Sequence, residues 1–259
     1  MAYSQKTQDQ EEIKRITENI LHRKRNFFFT RSLKLMVWDL TIKGALFIKR
    51  TLDIVASICL LLFLSPLLLV VCILIKLDSE GPIIYQSVRI GQYGKPFKFL
   101  KFRSMYVNSA ELLEIIQKNQ EKQHLENKKN GIHIPKAAKS DMNKPKSNDL
   151  RLTRIGRFIR KASIDELPQL VNVLIGDMSL VGPRPPIPEE VADYTLNQRK
   201  RLNIKPGITC IWQVTGRSDI PFEQQVELDK QYISNHSIIK DLWILMQTIP
   251  AVITGKGAY

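Results

Sequence analysis

Residues 54–75 read IVASICLLLFLSPLLLVVCILI, and this apolar run decides how the rest of the chain is organised. The run carries no charge, and its 22 residues exceed the roughly 20 that a helix needs to match a hydrocarbon core about 30 Å thick. Ser65-Pro66 lies near its middle. Because proline lacks the N–H donor and its ring clashes with the preceding turn, we expect the helix to break or bend there.

The charges on either side of the run favour a re-entrant hairpin. Residues 1–50 contain eleven Lys and Arg against five Asp and Glu, and the residues that follow the run are also basic: Lys76, Arg89, Lys95, Lys98, Lys101 and Arg103. Basic flanks prefer the cytoplasmic side of a membrane, and a straight span would leave one flank outside. A helix–break–helix hairpin that turns at Ser65-Pro66 keeps both flanks inside. The alternative is a transmembrane anchor that tolerates its proline.

This organisation predicts three segments. Residues 1–48 form a basic, partly amphipathic segment that suits either a membrane surface or the surface of the soluble domain. Residues 49–77 form the membrane hairpin, with Lys49, Arg50 and Asp53 at its base. Residues 78–259 form a cytoplasmic domain, in which the lysine-rich stretch 117–150 has no aromatic residue and is expected to be a mobile polar insert.

Composition narrows the classes of partner. The chain has 39 Lys and Arg against 25 Asp and Glu, a formal net charge of +14, which favours nucleic acid, an anionic membrane or a phosphorylated substrate. No nucleic-acid-binding motif is present, so we expect no nucleic acid partner. Three cysteines are too few for a disulfide framework or a paired zinc motif, which indicates a reducing compartment. The common nucleotide and zinc-hydrolase motifs GxxxxGK[ST], GxGxxG and HExxH are absent.

The soluble part is predicted to be α+β, mainly helical with a small β-hairpin. The segments IIYQSVRI at 83–90 and FKFLKF at 97–102 are rich in β-forming residues and are separated by GQYGKP, which predicts the hairpin. From Leu152 onward the pattern is mostly helical, in pieces separated by glycine and proline. The last of these is an apolar helix with Ser237 as its N-cap.

Two adjacent acidic residues belong to the cluster of the sequence that looks most reactive. Asp165 and Glu166 follow Arg154, Arg157 and Arg160, whose spacing of three predicts roughly one side of a helix, suited to phosphate oxygens. The same residues allow another interpretation, because Ser163-x-x-Glu166 is also a capping box with both acids in a first helical turn. Taken alone, these residues favour the capping box.

The segment Gly182-Pro183-Arg184-Pro185-Pro186 is a second candidate. Prolines on both sides of Arg184 restrict the backbone, so its planar guanidinium would be presented to a pyrophosphate at low entropic cost. A rigid turn with a solvated arginine explains the same residues equally well. The stretches 205–209 and 212–217 are expected to add a polar pocket floor.

Together, these motifs resemble the bacterial sugar transferase family, the monotopic polyprenol-phosphate phosphoglycosyl transferases. The resemblance covers about residues 47–259, and its terminal GAY points to the exopolysaccharide branch, which uses hexose donors. Its motifs are, in chain order, Lys49-Arg50-x-x-Asp53, Ser65-Pro66, Lys101–Met105, Thr153–Arg157, SIDELPQL at 163–170, GDMSLVGPRP at 176–185, Lys205–Gly207, WQVTGR at 212–217 and Gly257–Tyr259. The sequence departs from many relatives at Leu150, where they have proline, and in its long polar insert.

The resemblance implies a reaction and its site residues. Asp165 would attack the sugar-bearing phosphorus of a UDP-sugar with Glu166 assisting, UMP would leave, and undecaprenyl phosphate would take the sugar phosphate and start an exopolysaccharide or capsule glycan. Mg²⁺ would assist, with Asp165 as its ligand. The residues implied to bind substrate or phosphate are Lys101, Arg103, Arg154, Arg157, Pro183, Arg184, Pro185 and Arg217.

The same resemblance implies the location and the partners. The chain would lie in the bacterial inner membrane with its catalytic domain on the cytoplasmic face, and its partners would be UDP-sugar, undecaprenyl phosphate and membrane lipids; a homodimer is left open. Two other functions are weighed: a membrane-bound nucleotide-sugar hydrolase, in which water resolves the intermediate, and a non-catalytic membrane adaptor of glycan assembly.

Overall fold

The computed structural model describes residues 2–109, 111, 118, 149, 151–216 and 219–254. The chain divides after Leu52 into two units, and each is described by itself. Several predictions fall outside the described residues: the insert 117–150 apart from Lys118 and Asp149, the phosphate contact of Arg217, and the terminal Gly257-Ala258-Tyr259. The amphipathic pattern of residues 1–48 also lies largely outside them, because most side chains before residue 43 are not described.

One long helix, α1, runs over Ala2–Asp78 and contains Pro66. The predicted interruption at Ser65-Pro66 is not confirmed, because the helix continues through it. Pro66 has no N–H to donate to the carbonyl of Leu62, four residues earlier. The Ser65 hydroxyl donates to that oxygen instead, at 2.8 Å, which replaces the missing hydrogen bond. Among the described helices, α1 holds one segment, Lys43–Asp78, that is long and apolar enough to cross a membrane.

The predicted β-hairpin is confirmed. Strand β1, Ile84–Ile90, pairs antiparallel with β2, Pro96–Phe102, through a 3-10 turn at Gln92–Gly94. The register places Arg89 opposite Phe97 and Tyr85 opposite Lys101. Residues opposite each other, and every second residue along a strand, share a face. Arg89 and Lys101 therefore lie on the same face of the hairpin.

The chain leaves the hairpin and returns to it at one point. Met105 and Leu152 form an isolated antiparallel bridge. It is extended by hydrogen bonds from the Tyr106 N–H to the Arg151 carbonyl at 3.0 Å and from the Thr153 N–H to the Ser104 carbonyl at 3.2 Å. The two ends of the intervening stretch are thus held side by side.

The rest of the described chain is mainly helical, as the sequence predicts, and Ser237 caps the last helix through a hydrogen bond that its hydroxyl accepts from the Lys240 N–H at 3.2 Å. Two short strands that the sequence analysis did not predict form a parallel pair. The elements are α2 (Arg154–Lys161), a 3-10 helix (Ile164–Glu166), α3 (Gln169–Ile175), β3 (Ser179–Val181), α4 (Pro188–Ala192), α5 (Leu196–Arg199), a 3-10 helix (Lys200–Asn203), β4 (Gly207–Thr209), α6 (Ile211–Thr215), α7 (Phe222–Ser234) and α8 (Ile238–Thr254).

Two apolar clusters, both of which include residues of β2, hold the second unit together. One contains Phe99 and is packed by Ala56 and Leu61 of α1; the other contains Phe102 together with Val71 and Ile75. Two successive stretches of α1, before and after Pro66, therefore pack against one domain.

Candidate active site

A cavity of about 730 Å³ brings Asp165 and Glu166 together with basic and apolar side chains. Its polar lining consists of Lys101, Arg160, Ser163, Asp165, Glu166, Arg184, Thr209, Gln213, Gln225 and Thr248. Its apolar lining includes three residues of α1 and three of α8: Leu60, Leu64, Leu67, Leu245, Ala251 and Val252. The cavity thus offers charged groups that suit phosphate and apolar surface that suits a hydrocarbon chain.

The two acids sit in a single turn whose entry is conformationally unusual. Ser163 has φ +55°, in the left-handed region that non-glycine residues rarely adopt, and Ile164–Glu166 follow as a 3-10 helix. The capping-box interpretation of Ser163 and Glu166 is wrong, because the Ser163 side chain makes no capping hydrogen bond. The acids face the cavity instead.

Lys101 joins the two carboxylates. Its Nζ donates to Glu166 Oε1 at 2.7 Å and lies 3.6 Å from Asp165 Oδ2. Asp165 is only 5% exposed, and this burial raises the pKa of its carboxyl above the ordinary value; Lys101 opposes the rise and Glu166 adds to it. Lys101 therefore favours the ionised form of Asp165 that a nucleophile requires.

The strand that carries Lys101 is tied to the helix that follows the acids. The buried Asn172 of α3 donates from Nδ2 to the Lys98 carbonyl at 2.7 Å, and its Oδ1 accepts from the Leu100 N–H at 3.1 Å. Both hydrogen bonds lie at the main chain of β2, just before Lys101. Asn172 thereby fixes how far Lys101 sits from the turn at Asp165, a contact that the sequence analysis did not identify.

Arg89 is a basic group that lies near the site but does not line the cavity. Its guanidinium lies 5.4 Å from the centre of the Phe99 ring, and Lys101 Nζ lies 5.5 Å from the same ring. Burial and the nearby Arg184 lower the pKa of Arg89, and Glu190, Tyr85 and Glu166 oppose this effect. The position of Arg89 near the site could have been inferred from the strand register, because Arg89 and Lys101 lie on the same face of the hairpin.

The three arginines of α2 differ in whether they line the cavity. Arg160 lines the cavity, whereas Arg154 and Arg157 are exposed and do not line it. A helix turns by about 100° per residue, so residues six apart differ by roughly 120° around the axis. Only the last of the three arginines therefore reaches the acids.

Arg184 lines the cavity between the buried Pro183 and Pro185. The Gly207 N–H donates to the Pro183 carbonyl at 2.9 Å and so holds this segment against β4. A Cβ atom on Gly207 would collide with the main-chain nitrogen of Gly182. Two motifs that the sequence places 25 positions apart thus cross at contact distance, and glycine is required for the crossing.

Arg103 does not lie at the acids but at the end of α1. It is 5% exposed, and its guanidinium donates to the carbonyls of Ser79 at 2.6 Å, Glu80 at 2.8 Å and Ile75 at 3.4 Å. These are main-chain oxygens at or just beyond the C-terminus of a helix, where a cation is favourable. In this position Arg103 fastens α1 to β2.

Both ends of the apolar part of α1 are fastened to the same domain. The buried Asp53 accepts at Oδ1 from the Leu180 N–H at 3.3 Å, and Asp78 accepts at Oδ2 from the Ile155 N–H at 2.9 Å. Lys49 and Arg50 precede Asp53 on the same helix, within the first unit. Ser65 and Pro66 are exposed.

The side chains near Asp165 and Glu166 can be assessed as ligands for the predicted Mg²⁺. Among the described residues there is no group of three or more His, Cys, Asp or Glu side chains that could hold a metal ion. Mg²⁺ is commonly bound by one or two carboxylates together with substrate phosphates, rather than by a complete protein cage. The Asp165 carboxylate, with Glu166 next to it, fits that mode of binding.

Comparison with known proteins places these features in a family. A family model described as bacterial sugar transferase matches residues 44–255. The chain is 42% identical to undecaprenyl-phosphate galactose phosphotransferase of Salmonella typhimurium over 221 residues. This alignment covers 85% of this chain and 44% of that protein. It is 37% identical to exopolysaccharide production protein ExoY of Rhizobium meliloti, over 82% of this chain and 88% of the relative.

A third relative is UDP-glucose:undecaprenyl-phosphate glucose-1-phosphate transferase of Klebsiella pneumoniae, 37% identical over 82% of this chain and 41% of that protein. The chain thus spans less than half the length of the Salmonella and Klebsiella relatives. It spans most of ExoY.

Proposed function

The chain belongs to the bacterial sugar transferase family, and from this premise we propose that it transfers a hexose 1-phosphate from a UDP-sugar to undecaprenyl phosphate. The observation that carries the proposal is the ionic triplet in the cavity, in which Lys101 Nζ lies 2.7 Å from Glu166 and 3.6 Å from the buried Asp165. The names of the Salmonella and Klebsiella relatives, which specify galactose and glucose, support a hexose donor.

In the first step, an oxygen of the Asp165 carboxylate forms a bond to the sugar-bearing phosphorus of the donor. The bond from that phosphorus to the bridging oxygen breaks, and UMP leaves with the electron pair. Asp165 must be ionised, and the ammonium of Lys101 favours that form against the effect of burial. Arg160 and Arg184 line the same cavity and are suited to balance the charge on the phosphate oxygens.

In the second step, a phosphate oxygen of undecaprenyl phosphate attacks the same phosphorus, and the Asp165 carboxylate leaves. The apolar lining from Leu60, Leu64 and Leu67 supports a polyprenyl acceptor rather than water. A hydrolase would gain nothing from this hydrocarbon surface. Splitting the transfer into two steps lets two bulky substrates use one site in turn.

Mg²⁺ is proposed to be held at Asp165 together with the donor diphosphate, with Glu166 next to it. When bound, it supplies positive charge that favours the diphosphate and the departing UMP. The test is the rate of UMP release after chelation with EDTA and after restoration of Mg²⁺. Loss of the rate with EDTA and recovery with Mg²⁺ support the proposal, and an unchanged rate contradicts it.

We also propose that α1 enters the bilayer and leaves it on the same face. Its support is that Asp53 and Asp78 both bond to one domain, so both ends of the apolar segment lie on the side where that domain sits. The basic flanks favour the cytoplasmic side of the inner membrane. In sealed cells, a cysteine introduced in an Ala2→Cys variant should be protected from an impermeant maleimide. Labelling of that cysteine from outside contradicts the arrangement.

The covalent step is tested with a UDP-hexose that carries ³²P in the phosphate next to the sugar. The wild-type chain should become labelled in the absence of undecaprenyl phosphate and should lose the label when the acceptor is added. Asp165→Asn should abolish labelling, because an amide is not a nucleophile here. The exposed Asp193 provides a matched control, and Asp193→Asn should label normally. Undiminished labelling of Asp165→Asn would refute the assigned nucleophile.

A further inference from the structure

A second, smaller cavity of about 110 Å³ adjoins the active-site cavity. Arg184, Trp212 and Gln225 line both cavities. A ligand whose phosphates lie beside Arg184 can therefore extend from one into the other. We propose that the smaller cavity, here called the side chamber, binds the uracil ring of the nucleotide donor; this inference rests on the proposed function.

The side chamber has flat aromatic and proline surfaces as well as polar groups. Tyr194 and Phe222 lie with their ring centres 5.9 Å apart and their planes tilted by 37°. Trp212, Pro185 and Pro186 complete the apolar part of the lining, and Arg184, Glu190, Arg201 and Gln225 supply its polar part. Aromatic faces bind nucleobases by stacking, whatever the base. This lining suits a planar ring better than a sugar, which presents hydroxyl groups in several directions.

The charges in the side chamber favour binding of a neutral ring there and of the phosphates beside Arg184. Arg201 lines the chamber but is 5% exposed, and its Nε and Nη2 lie 2.7 Å from Asp229 Oδ2. Its Nη1 donates to the Tyr194 hydroxyl at 3.1 Å. Because Asp229 already balances this guanidinium, it offers little to a phosphate. Arg184, which is exposed at the boundary with the larger cavity, is the better partner for the diphosphate.

Size and polar groups favour a pyrimidine with a ring N–H. The chamber volume of about 110 Å³ equals the share of roughly four water molecules in the liquid, enough for one ring. Gln225 is held by a hydrogen bond from its Nε2 to the Ile220 carbonyl at 2.8 Å, and Glu190 adds a carboxylate. The amide oxygen and the carboxylate are acceptors. Uracil has a ring N–H donor to match them, whereas cytosine has an unprotonated nitrogen at that position.

The test is a set of dissociation constants for UMP, CMP and inorganic pyrophosphate, measured by calorimetry on the full chain in detergent micelles. Phe222→Leu removes one aromatic wall, Phe222→Tyr keeps it, and Phe158→Leu serves as the control because Phe158 is exposed on α2 and lines neither cavity. We expect Phe222→Leu to weaken UMP about tenfold and to leave pyrophosphate unchanged. Phe222→Tyr and the control should bind UMP as the wild type does, and CMP should bind more weakly than UMP.

A second measurement does not depend on the folding of the leucine variant. When the aromatic protons of the wild-type chain are saturated, magnetisation should pass more strongly to the ring protons of UMP than to its ribose protons. Equal transfer to both contradicts the side-chamber site. So does an unchanged UMP affinity in Phe222→Leu, or an equal loss for UMP and pyrophosphate.

Transfer assays run in parallel separate this inference from the proposed function. If the wild type transfers hexose phosphate but UMP binding does not depend on Phe222, the side chamber is not the base site. If transfer is absent and UMP binding still depends on Phe222, the base site stands and the proposed reaction fails.

Discussion

Replacing Lys101 with methionine tests whether Lys101 keeps Asp165 ionised. The variant keeps a long side chain but removes the ammonium that lies 3.6 Å from Asp165 Oδ2. At an effective dielectric constant of about 20, this separation corresponds to a gross attraction of about 5 kcal/mol. The Lys101 side chain is 20% exposed and also pairs with Glu166, so we expect its removal to cost about 2 kcal/mol of net stabilisation of the ionised Asp165. That loss corresponds to a roughly 30-fold lower rate of UMP release near neutral pH.

The pH dependence identifies the cause of this loss. Burial raises the pKa of Asp165 and Lys101 opposes the rise, so removal of Lys101 raises the pKa further. The acidic limb of the kcat/KM profile should therefore move to higher pH, and the rate should recover as the pH rises. UMP release from a UDP-hexose, measured with undecaprenyl phosphate over a series of pH values, provides the profile. Lys98→Met is the matched control, since Lys98 is exposed on the same strand. A loss that is equal at every pH would refute this explanation.

Three further variants test the contacts that hold the site together. Arg103→Met should lower the free energy of unfolding by about 3 kcal/mol and Tm by about 10 °C, because the carbonyls at the end of α1 lose their charged donor. A raised KM for the donor at unchanged Tm would contradict this role. Arg201→Met should lower the free energy of unfolding by about 3–5 kcal/mol, because it leaves the buried carboxylate of Asp229 unpaired; burial already raises the pKa of that carboxyl to about 6. Adding Asp229→Leu should restore most of this free energy, as measured by denaturant titration. In Arg201→Met the folded pKa of Asp229 lies above the unfolded value, so its Tm should fall as the pH rises from about 4 and level off above the folded pKa. Gly207→Ala should reduce the transfer rate, because the new Cβ displaces the segment that carries Arg184, whereas Gly44→Ala, with nothing near its Cβ, should have the wild-type rate.

The local features of the fold were predictable from the sequence. The hairpin of β1 and β2 follows from two β-forming runs on either side of a glycine turn, and the last helix follows from Ser237 and an apolar pattern. The apolar segment around Pro66 was also predictable. Each of these depends on residues close together in the chain.

Three features show where local patterns are insufficient. The helix continues through Pro66 because Ser65 supplies a replacement hydrogen bond, a contact of the side chain that the proline rule does not contain. Of the three arginines of α2, Arg160 alone lines the cavity, since steps of three drift around a helix of 3.6 residues per turn. Ser163 does not cap its helix, because its left-handed backbone prevents the usual N-cap conformation.

The sequence by itself determined that Asp165 and Glu166 are adjacent, since their order and spacing cannot change on folding. It also determined that an apolar segment precedes the soluble domain. Only the tertiary structure decided which basic group serves which purpose. Lys101 meets the acids, whereas Arg103, two residues further, holds α1. Both are cations on neighbouring positions of the chain, and what separates them is their contacts with residues more than 20 positions away. A local pattern contains no information on such contacts.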